Sequence, residues 1–491
     1  MSVFTRNSAS TPLRERHSPA DLPYGVDMDK SRLRPLAAAL PVASLLAFGL
    51  PATASAATSP VTTVSVGGMP TGTVIAQGRA YVSNQTLNQL DVIDVASSTL
   101  VTSIPVGATP QPPASSPDES RVFVSNNSAN TVSIVSTVSN SVIATVPVGA
   151  SPGKPAVSPT HAYVSNFGSN SVSVIDIATN SLVATIPVGT NPSTGVFGTG
   201  NQYSSYSTNL YVANRNSGSI SIIDTTTNSV SATIFGAPQI SQAAVSPSMS
   251  SVGSQLFTSN ISGGQLTVLS QDPARASSPG VFIPVGNGAS VPAVSGDGAF
   301  VYVANAGDDS VSAVSADGSA KTVTIPVGDN PGDPQINFAG TTAYVPNAGS
   351  STISAISTAK NAVSATYEVG SGPMGISVTP DGSTLVVANR LSGSVSIVKT
   401  SATSYPKAPT KITVKSSSSK SATISWKKST SSGVTGYVVT ALPGGKTCST
   451  KKTTCTIKKL SGGAKYTFAV QATSKYGAGI PRNSSTVTVK K

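Results

Sequence analysis

Few side chains in this chain of 491 residues are of types that do chemistry, and their spacing narrows the chemistry that is open to them. Histidine occurs twice, at His17 in the amino-terminal segment and at His161 in Ser158-Pro159-Thr160-His161, which reads as an exposed turn. A Ser–His–Asp triad and a histidine-based metal site are therefore not expected. Carboxylates remain, because two acids suffice for glycoside hydrolysis. The candidates are Asp308-Asp309 and the pair Asp329 and Asp333, although aspartate in Gly/Asn/Ser-rich stretches is usually a turn former. Gly445-Lys446-Thr447 imitates the end of a phosphate-binding loop, but Thr440 stands where its first glycine belongs. Cys448 and Cys455 are the chain's two cysteines, flanking a Lys/Thr-rich turn. Two thiolates lack the further ligands of a metal site, so an intradomain hairpin disulfide is expected, with no metal and no cofactor.

The elements that must position these residues are legible in one stretch, AYVSNFGSNSVSVIDIATNSLVATIPVG, from Ala162 to Gly189. It reads as three short β-branched strands punctuated by Asn, Gly and Ser turns. The pattern recurs at roughly 40–48 residues, the spacing of a four-stranded propeller blade. A Tyr-Val-x-Asn strand ends at Asn84, Asn126, Asn166, Asn214, Asn260, Asn305, Asn347 and Asn389. These asparagines are expected to form Asx-turns or to adopt positive φ. A strand written Ile-Pro-Val-Gly, or a variant of it, ends at Gly67, Gly107, Gly149, Gly189, Gly236, Gly286, Gly328 and Gly370. Pro105, Pro147, Pro187, Pro284 and Pro326 lie inside five of these, which makes them outer edges, since proline removes a ladder donor. The first such strand, Val61–Gly67, precedes every Tyr-Val-x-Asn strand, and the last Tyr-Val-x-Asn strand has none after it. A circular array whose last blade joins Pro373–Thr400 to Val61–Gly67 accounts for that offset and leaves no exposed edge.

With that motif and SVTPDGSTLVVAN at Ser377–Asn389, residues from about 60 to 400 resemble the YVTN β-propeller repeats of archaeal surface-layer and related bacterial secreted proteins. The resemblance implies a toroid of four-stranded blades and an extracytoplasmic setting, without one shared activity. The expected fold is all-β with eight blades. Seven is the alternative, in which Phe257–Asn260 is not a blade strand. Two connections between inner and second strands are long, Gly198–Asn209 and Ser246–Gln255, and long loops on a rigid scaffold are where binding usually lives. Tyr203 and Tyr206 offer rings for stacking on a sugar or peptide. Lys154 and Asp333 fall at similar inner-strand offsets of the third and seventh blades, where both would line the channel.

After the linker Pro406-Lys407-Ala408-Pro409, about seven strands follow: Lys411–Val414, Ala422–Lys427, Gly436–Leu442, one near Thr447, Thr454–Ile457, Lys465–Ala472 and Thr486–Val489. Trp426 and the run from Leu460 through Gly463, Tyr466, Phe468, Val470 and Ala472 make this segment resemble a bacterial fibronectin type III domain. In that resemblance Tyr466 takes the tyrosine-corner position, and the module is a spacer or adhesive unit. Charge divides the chain sharply. Residues 405–491 carry 16 Lys/Arg and no acid, whereas 57–404 carry 9 basic and 15 acidic residues. Lys427, Lys428, Lys451, Lys452, Lys458 and Lys459 are expected to cluster around one sandwich edge and its hairpin, as contacts for an anionic polymer.

The amino terminus reads as an export signal. Leu36–Leu50 is apolar, follows Lys30, Arg32 and Arg34, and leads to Ala54-Ser55-Ala56, while Met28 is the better start. The run is short for a membrane span and Pro41 interrupts it, so no transmembrane anchor is expected in the mature chain. The expected organisation is an upstream extension and signal peptide over 1–56, a propeller over 57–404 and a fibronectin type III domain over 405–491. The expected function is a secreted, non-catalytic envelope or extracellular binding and adhesion protein, non-covalently wall-associated through its basic module. Its partners would be a cell-wall polymer, polysaccharide or envelope protein, with no physiological nucleic acid. The alternative is an extracellular polysaccharide hydrolase of glycosidase type, or an accessory to one, using carboxylates.

Overall fold

Runs of Val, Ile and Thr between Asn, Gly and Ser turns become strands throughout the described residues. The computed structural model describes residues 61–490 except 198–208, 236–248, 253–254, 261–263, 271–279, 317–318, 320, 401–405, 407, 419, 432, 443–445, 475–476 and 479–480. The segment read as an export signal, together with Tyr203 and Tyr206, therefore lies outside the described residues. Among those described there is no helix, and so none long and apolar enough to cross a membrane.

Eight four-stranded antiparallel sheets follow one another among the described residues, an arrangement consistent with a propeller. Seven span 70–105, 114–147, 156–187, 196–235, 249–284, 293–326 and 335–368, and the eighth joins 373–399 to Val61–Ser65. In the eighth, Val61 pairs with Val398 and Ser65 with Ser394, the partnership that the strand offset predicts. Pro105, Pro147, Pro187, Pro284 and Pro326 each end the outermost strand of their sheet.

Each junction between consecutive sheets is filled by one buried apolar cluster. At one, Tyr163 and Val174 of the third sheet meet Leu210 and Ile223 of the fourth. At the last, Val386 and Ile397 of the eighth meet Val82 and Ile93 of the first, so the succession closes on itself. Full burial of each such side chain stabilises by about 1.5–3 kcal/mol.

The repeated asparagine has a different job from the one expected. It is buried, and it is absent from the residues at positive φ, where Asn130, Asn170 and Asn180 of the turns are found instead. Asn166 Nδ2 donates to the hydroxyls of Ser171 (3.1 Å) and Ser173 (2.9 Å) on the next strand. Asn126, Asn214, Asn305, Asn347 and Asn389 repeat that pair of bonds. Its carboxamide also abuts the glycine closing the previous sheet. The Gly286 N–H donates to Asn305 Oδ1 at 3.1 Å. A Cβ on Gly107 or Gly149 would lie 2.7 Å from the side chain of Asn126 or Asn166. Asn and Gly are two halves of one contact between sheets, and a side chain at the glycine would force them apart. In the first sheet Asp91 replaces the usual hydroxyl, accepting from Asn84 (3.1 Å), Gln89 (2.7 Å) and Ser103 (2.6 Å).

The stretch Ser246–Gln255 is not a long loop. It contains Met249–Val252, the inner strand of the fifth sheet, with Val252 opposite Gln255. Gln255–Asn260 needs a partner on its inner side, and the nearest upstream segment supplies it as a tight hairpin. Phe257–Asn260 belongs to a full sheet.

In the carboxy-terminal module, Thr410–Ser418, Ser421–Lys427 and Thr454–Ile457 form one sheet. Val434–Leu442, Thr447–Thr450 and Lys465–Ser474 build the other. Trp426 packs edge-on to Tyr437 with ring centroids 5.3 Å apart, above a core containing Val439 and Phe468. The Tyr466 hydroxyl accepts the Ser461 N–H at 3.1 Å, forming the corner expected of it. The Cys448–Cys455 disulfide is present, but it does not staple a hairpin. Its strands belong to different sheets, because the chain crosses the sandwich between them instead of turning back.

Candidate functional site

The carboxylates of the sheet assembly are mostly occupied in holding turns. Asp94, Asp176 and Asp224 accept the backbone N–H of Ser97, Thr179 and Thr226 at equivalent turns. These hydrogen bonds hold their carboxyls below the usual range. Asp118, Asp297 and Asp381 do the same for a second family of turns, accepting from Ser120, Ala299 and Ser383. His161 is half-buried, not exposed. Its Nδ1 lies 2.9 Å from the Thr160 hydroxyl, and its Nε2 lies 3.9 Å from Asp176. No group of three metal-ligating side chains occurs among the described residues.

Asp308 and Asp309 have structural work. Asp308 accepts from Asn287 N (2.7 Å) and Nδ2 (3.0 Å) in the loop after the fifth sheet. Asp309 sits at positive φ, and its Oδ1 accepts Asn330 N at 2.8 Å, as Asn170 Oδ1 accepts Asn191 N at 2.9 Å. The two line a groove of about 390 Å³ between the fifth and sixth sheets with Pro284, Ser310, Thr322 and Thr324. An equivalent groove of about 510 Å³ between the second and third sheets has Asn170 and Ser169 in their place. The groove is thus a consequence of the repeat, and its carboxylates are substitutes for turn residues.

The inner strands carry the more unusual pair. Those of the second, third, fourth, sixth and seventh sheets are introduced by a loop pinned to the Asn-bearing strand, as when Pro152 bridges Asn166, Pro331 bridges Asn347, and Gly153 N–H donates to Ser165 O. Two residues before the inner strand the same place is occupied by Pro112, Lys154, Thr194, Val291 and Asp333 in the second, third, fourth, sixth and seventh sheets. Gly72 and Gly375 take it in the first and eighth. Neighbouring occupants touch. A Cβ on Gly72 would meet Pro112 at 2.5 Å, one on Gly375 would meet Gly72 Cα at 2.8 Å, and Asp333 Oδ1 accepts Val291 N at 3.1 Å. They form an inner ring in which Lys154 and Asp333 are the charged members among the described residues.

Both side chains are exposed by surface area, yet protein surrounds them closely. Groups facing a narrow solvent-filled opening behave this way. Desolvation pushes the Lys154 ammonium below the usual lysine range, and the charge of Asp333 opposes the shift. Desolvation likewise raises the Asp333 carboxyl, opposed by the Val291 N–H and by Lys154. Each feels the other's field, but among the described residues no carboxylate lies within 4 Å of Lys154 Nζ.

In the module every lysine and arginine with a described side chain is exposed. The predicted group of six separates into two. Lys427 and Lys428 approach Lys451 and Lys452, since Trp426 N–H donates to Thr453 O at 3.0 Å. Lys458 and Lys459 lie at the opposite end of the same ladder, where Ile457 faces Ala422, beside Lys420. Four residues of strand hold the groups about 13 Å apart. Lys446, which sequence reasoning left out, joins the second group by donating to the Lys459 carbonyl.

Residues 407–489 match the fibronectin type III domain family, in agreement with the two sheets and the tyrosine corner. No curated protein matches the chain. Among solved structures it is similar to the hydrazine synthase of Kuenenia stuttgartiensis at a TM-score of 0.48 and 17% identity, over 68% of this chain and 96% of that one.

Proposed function

We propose that this is a secreted, non-catalytic binding protein of the cell envelope. In this reading residues 57–404 form an eight-bladed YVTN-type propeller completed by Val61–Gly67, and residues 405–491 form a basic tether. The propeller presents a surface to a polysaccharide or envelope protein, and the module holds the chain non-covalently to an anionic wall polymer. The apolar run at Leu36–Leu50 and the disulfide favour export. The observation that carries the reading is the contrast in charge use. Most described propeller carboxylates are tied into turns, whereas the module exposes every described cation with no acid in its sequence. Against the hydrolase alternative stands the structural employment of Asp308 and Asp309.

Sedimentation with purified walls containing teichoic acid tests the tether. The full chain should co-sediment at low salt and be released as ionic strength passes through about 0.1–0.5 M, where the screening length shrinks to several ångströms. Replacing Lys427, Lys428, Lys451 and Lys452 by Gln should release it at lower salt. A chain ending at residue 404 that sediments equally well would end this reading.

A further inference from the structure

We propose that the inner ring is a binding site for a small zwitterion, with its carboxylate on Lys154 and its ammonium on Asp333. The inference rests on the closed-ring reading of the sheets, but not on the tether.

Three observations converge on the pair. The first is position. The third and seventh sheets are four steps apart in either direction around a closed succession of eight, so equivalent places on them face one another across the ring. The other described occupants, Gly72, Pro112, Thr194, Val291 and Gly375, are neutral, and the corresponding residue of the fifth sheet lies outside the described residues.

The second is rigidity. Only these two sheets write the loop as Pro-Gly-X-Pro, in Pro152-Gly153-Lys154-Pro155 and Pro331-Gly332-Asp333-Pro334. A following proline confines the backbone of X to extended conformations, and each loop is pinned by the glycine N–H, to Ser165 O at 2.9 Å and Pro346 O at 2.7 Å. The two charges are thus presented by matching, stiffened frames.

The third is unmet valence. Lys154 makes no hydrogen bond or ion pair with the described residues, and Asp333 uses only Oδ1, toward Val291. Opposite charges that sense each other without touching leave room between them for something bipolar. A lone anion would be drawn to Lys154 and repelled by Asp333, and a lone cation the reverse. A molecule carrying both poles satisfies both and is selected by its length. Thr194, whose hydroxyl lies 3.9 Å from where a Gly153 Cβ would stand, offers a further hydrogen bond at the lysine end.

Unbranched ω-amino acids from glycine to 6-aminohexanoate serve as rulers, with acetate and methylammonium as single-pole controls, titrated into the full chain by calorimetry. Affinity should peak at one length and exceed either control at least tenfold. Lys154→Met and Asp333→Asn, each with an unchanged circular-dichroism melt, should lower it at least tenfold. The exchanged double variant, Lys154→Asp with Asp333→Lys, should recover it, because a zwitterion can bind reversed. Failure of every ruler to bind, affinity indifferent to length, or single variants that bind as tightly as the parent would overturn the proposal. A chain that sediments with walls yet binds no ruler would sink this inference alone.

Discussion

The ring of sheets and the carboxy-terminal module are both built from short strands, yet they are held together by opposite means. The ring spreads its stability over eight similar junctions, each with one apolar cluster, and most of them with an Asn–Gly contact backed by two buried hydroxyls. It has no cysteine, and three of its tyrosines reach the next sheet through their hydroxyls, Tyr81 to Asn140, Tyr163 to Asn228 and Tyr302 to Asn361. The module has one core and concentrates its large residues there, Trp426, Tyr437, Tyr466 and Phe468, together with a bond between its two sheets. A single small core must be closed by its own few large side chains, whereas a closed repeat lends each unit the surfaces of two neighbours. The charges follow a similar division, with most described carboxylates of the ring drawn into turns and the cations of the module left in solvent.

Removing Val61–Ser65 should break the comparison most forcefully. It strips Val64 from the closing junction, worth about 2 kcal/mol by itself, and leaves Ser394–Lys399 as an open edge. The ring's circular-dichroism transition should fall and broaden, with association of the opened chains. Trp426 is the chain's single tryptophan, so its emission follows the module and should melt as before. A truncated chain with an unchanged ring transition would refute closure.

Alkaline pH should separate the regions next. Burial raises the hydroxyls of Tyr81, Tyr163, Tyr211 and Tyr302, with Tyr163 pushed up to about 12. Unfolded tyrosine ionises near 10, so between there and about 12 the unfolded chain has released a proton that the ring retains. Stability is full below pH 10 and should fall by about 1.4 kcal/mol per pH unit for each tyrosine shifted across that window. In the module the hydrogen bond from Ser461 lowers Tyr466 instead, so its contribution carries the opposite sign. Melts from pH 9 to 12, read by circular dichroism and by Trp426, should diverge, and parallel slopes would remove the distinction.

The smallest effect is confined to the module. Reducing the Cys448–Cys455 bond releases a short loop and should cost roughly 2–3 kcal/mol. The Trp426 transition should move down with the ring transition in place. A shift of both together would mean that the two regions do not unfold independently.

Much of this architecture was written locally and could be read locally. Proline in the Ile-Pro-Val-Gly strands marks outer edges because a missing donor is tolerated only there, and the order of the two strand motifs announces how the ring closes. The strands of the module followed from alternation around Trp426 and Tyr466. Other features had no local signature. Asn166 carries the residue type of a turn former, and only its burial against Ser171, Ser173 and Gly149 shows it to be a junction residue. Cys448 and Cys455 look like a hairpin pair until their strands part into different sheets. The six lysines look like one cluster until the ladder between Ser421–Lys427 and Thr454–Ile457 sets them at its two ends.

The inner ring divides the two kinds of information most clearly. Sequence alone determined that Lys154 and Asp333 occupy the same step of the repeat and stand in the same Pro-Gly-X-Pro frame, since both properties are set by residues within a few positions. Their mutual field was decided by the tertiary structure. Almost 180 residues separate them along the chain, and the charge of each acts on the other only because the eighth sheet returns to pair with the first and the sheets between follow in succession. Local patterns record which way a side chain leaves its strand, but the distance between two charges, on which their interaction depends, is a property of the closed ring.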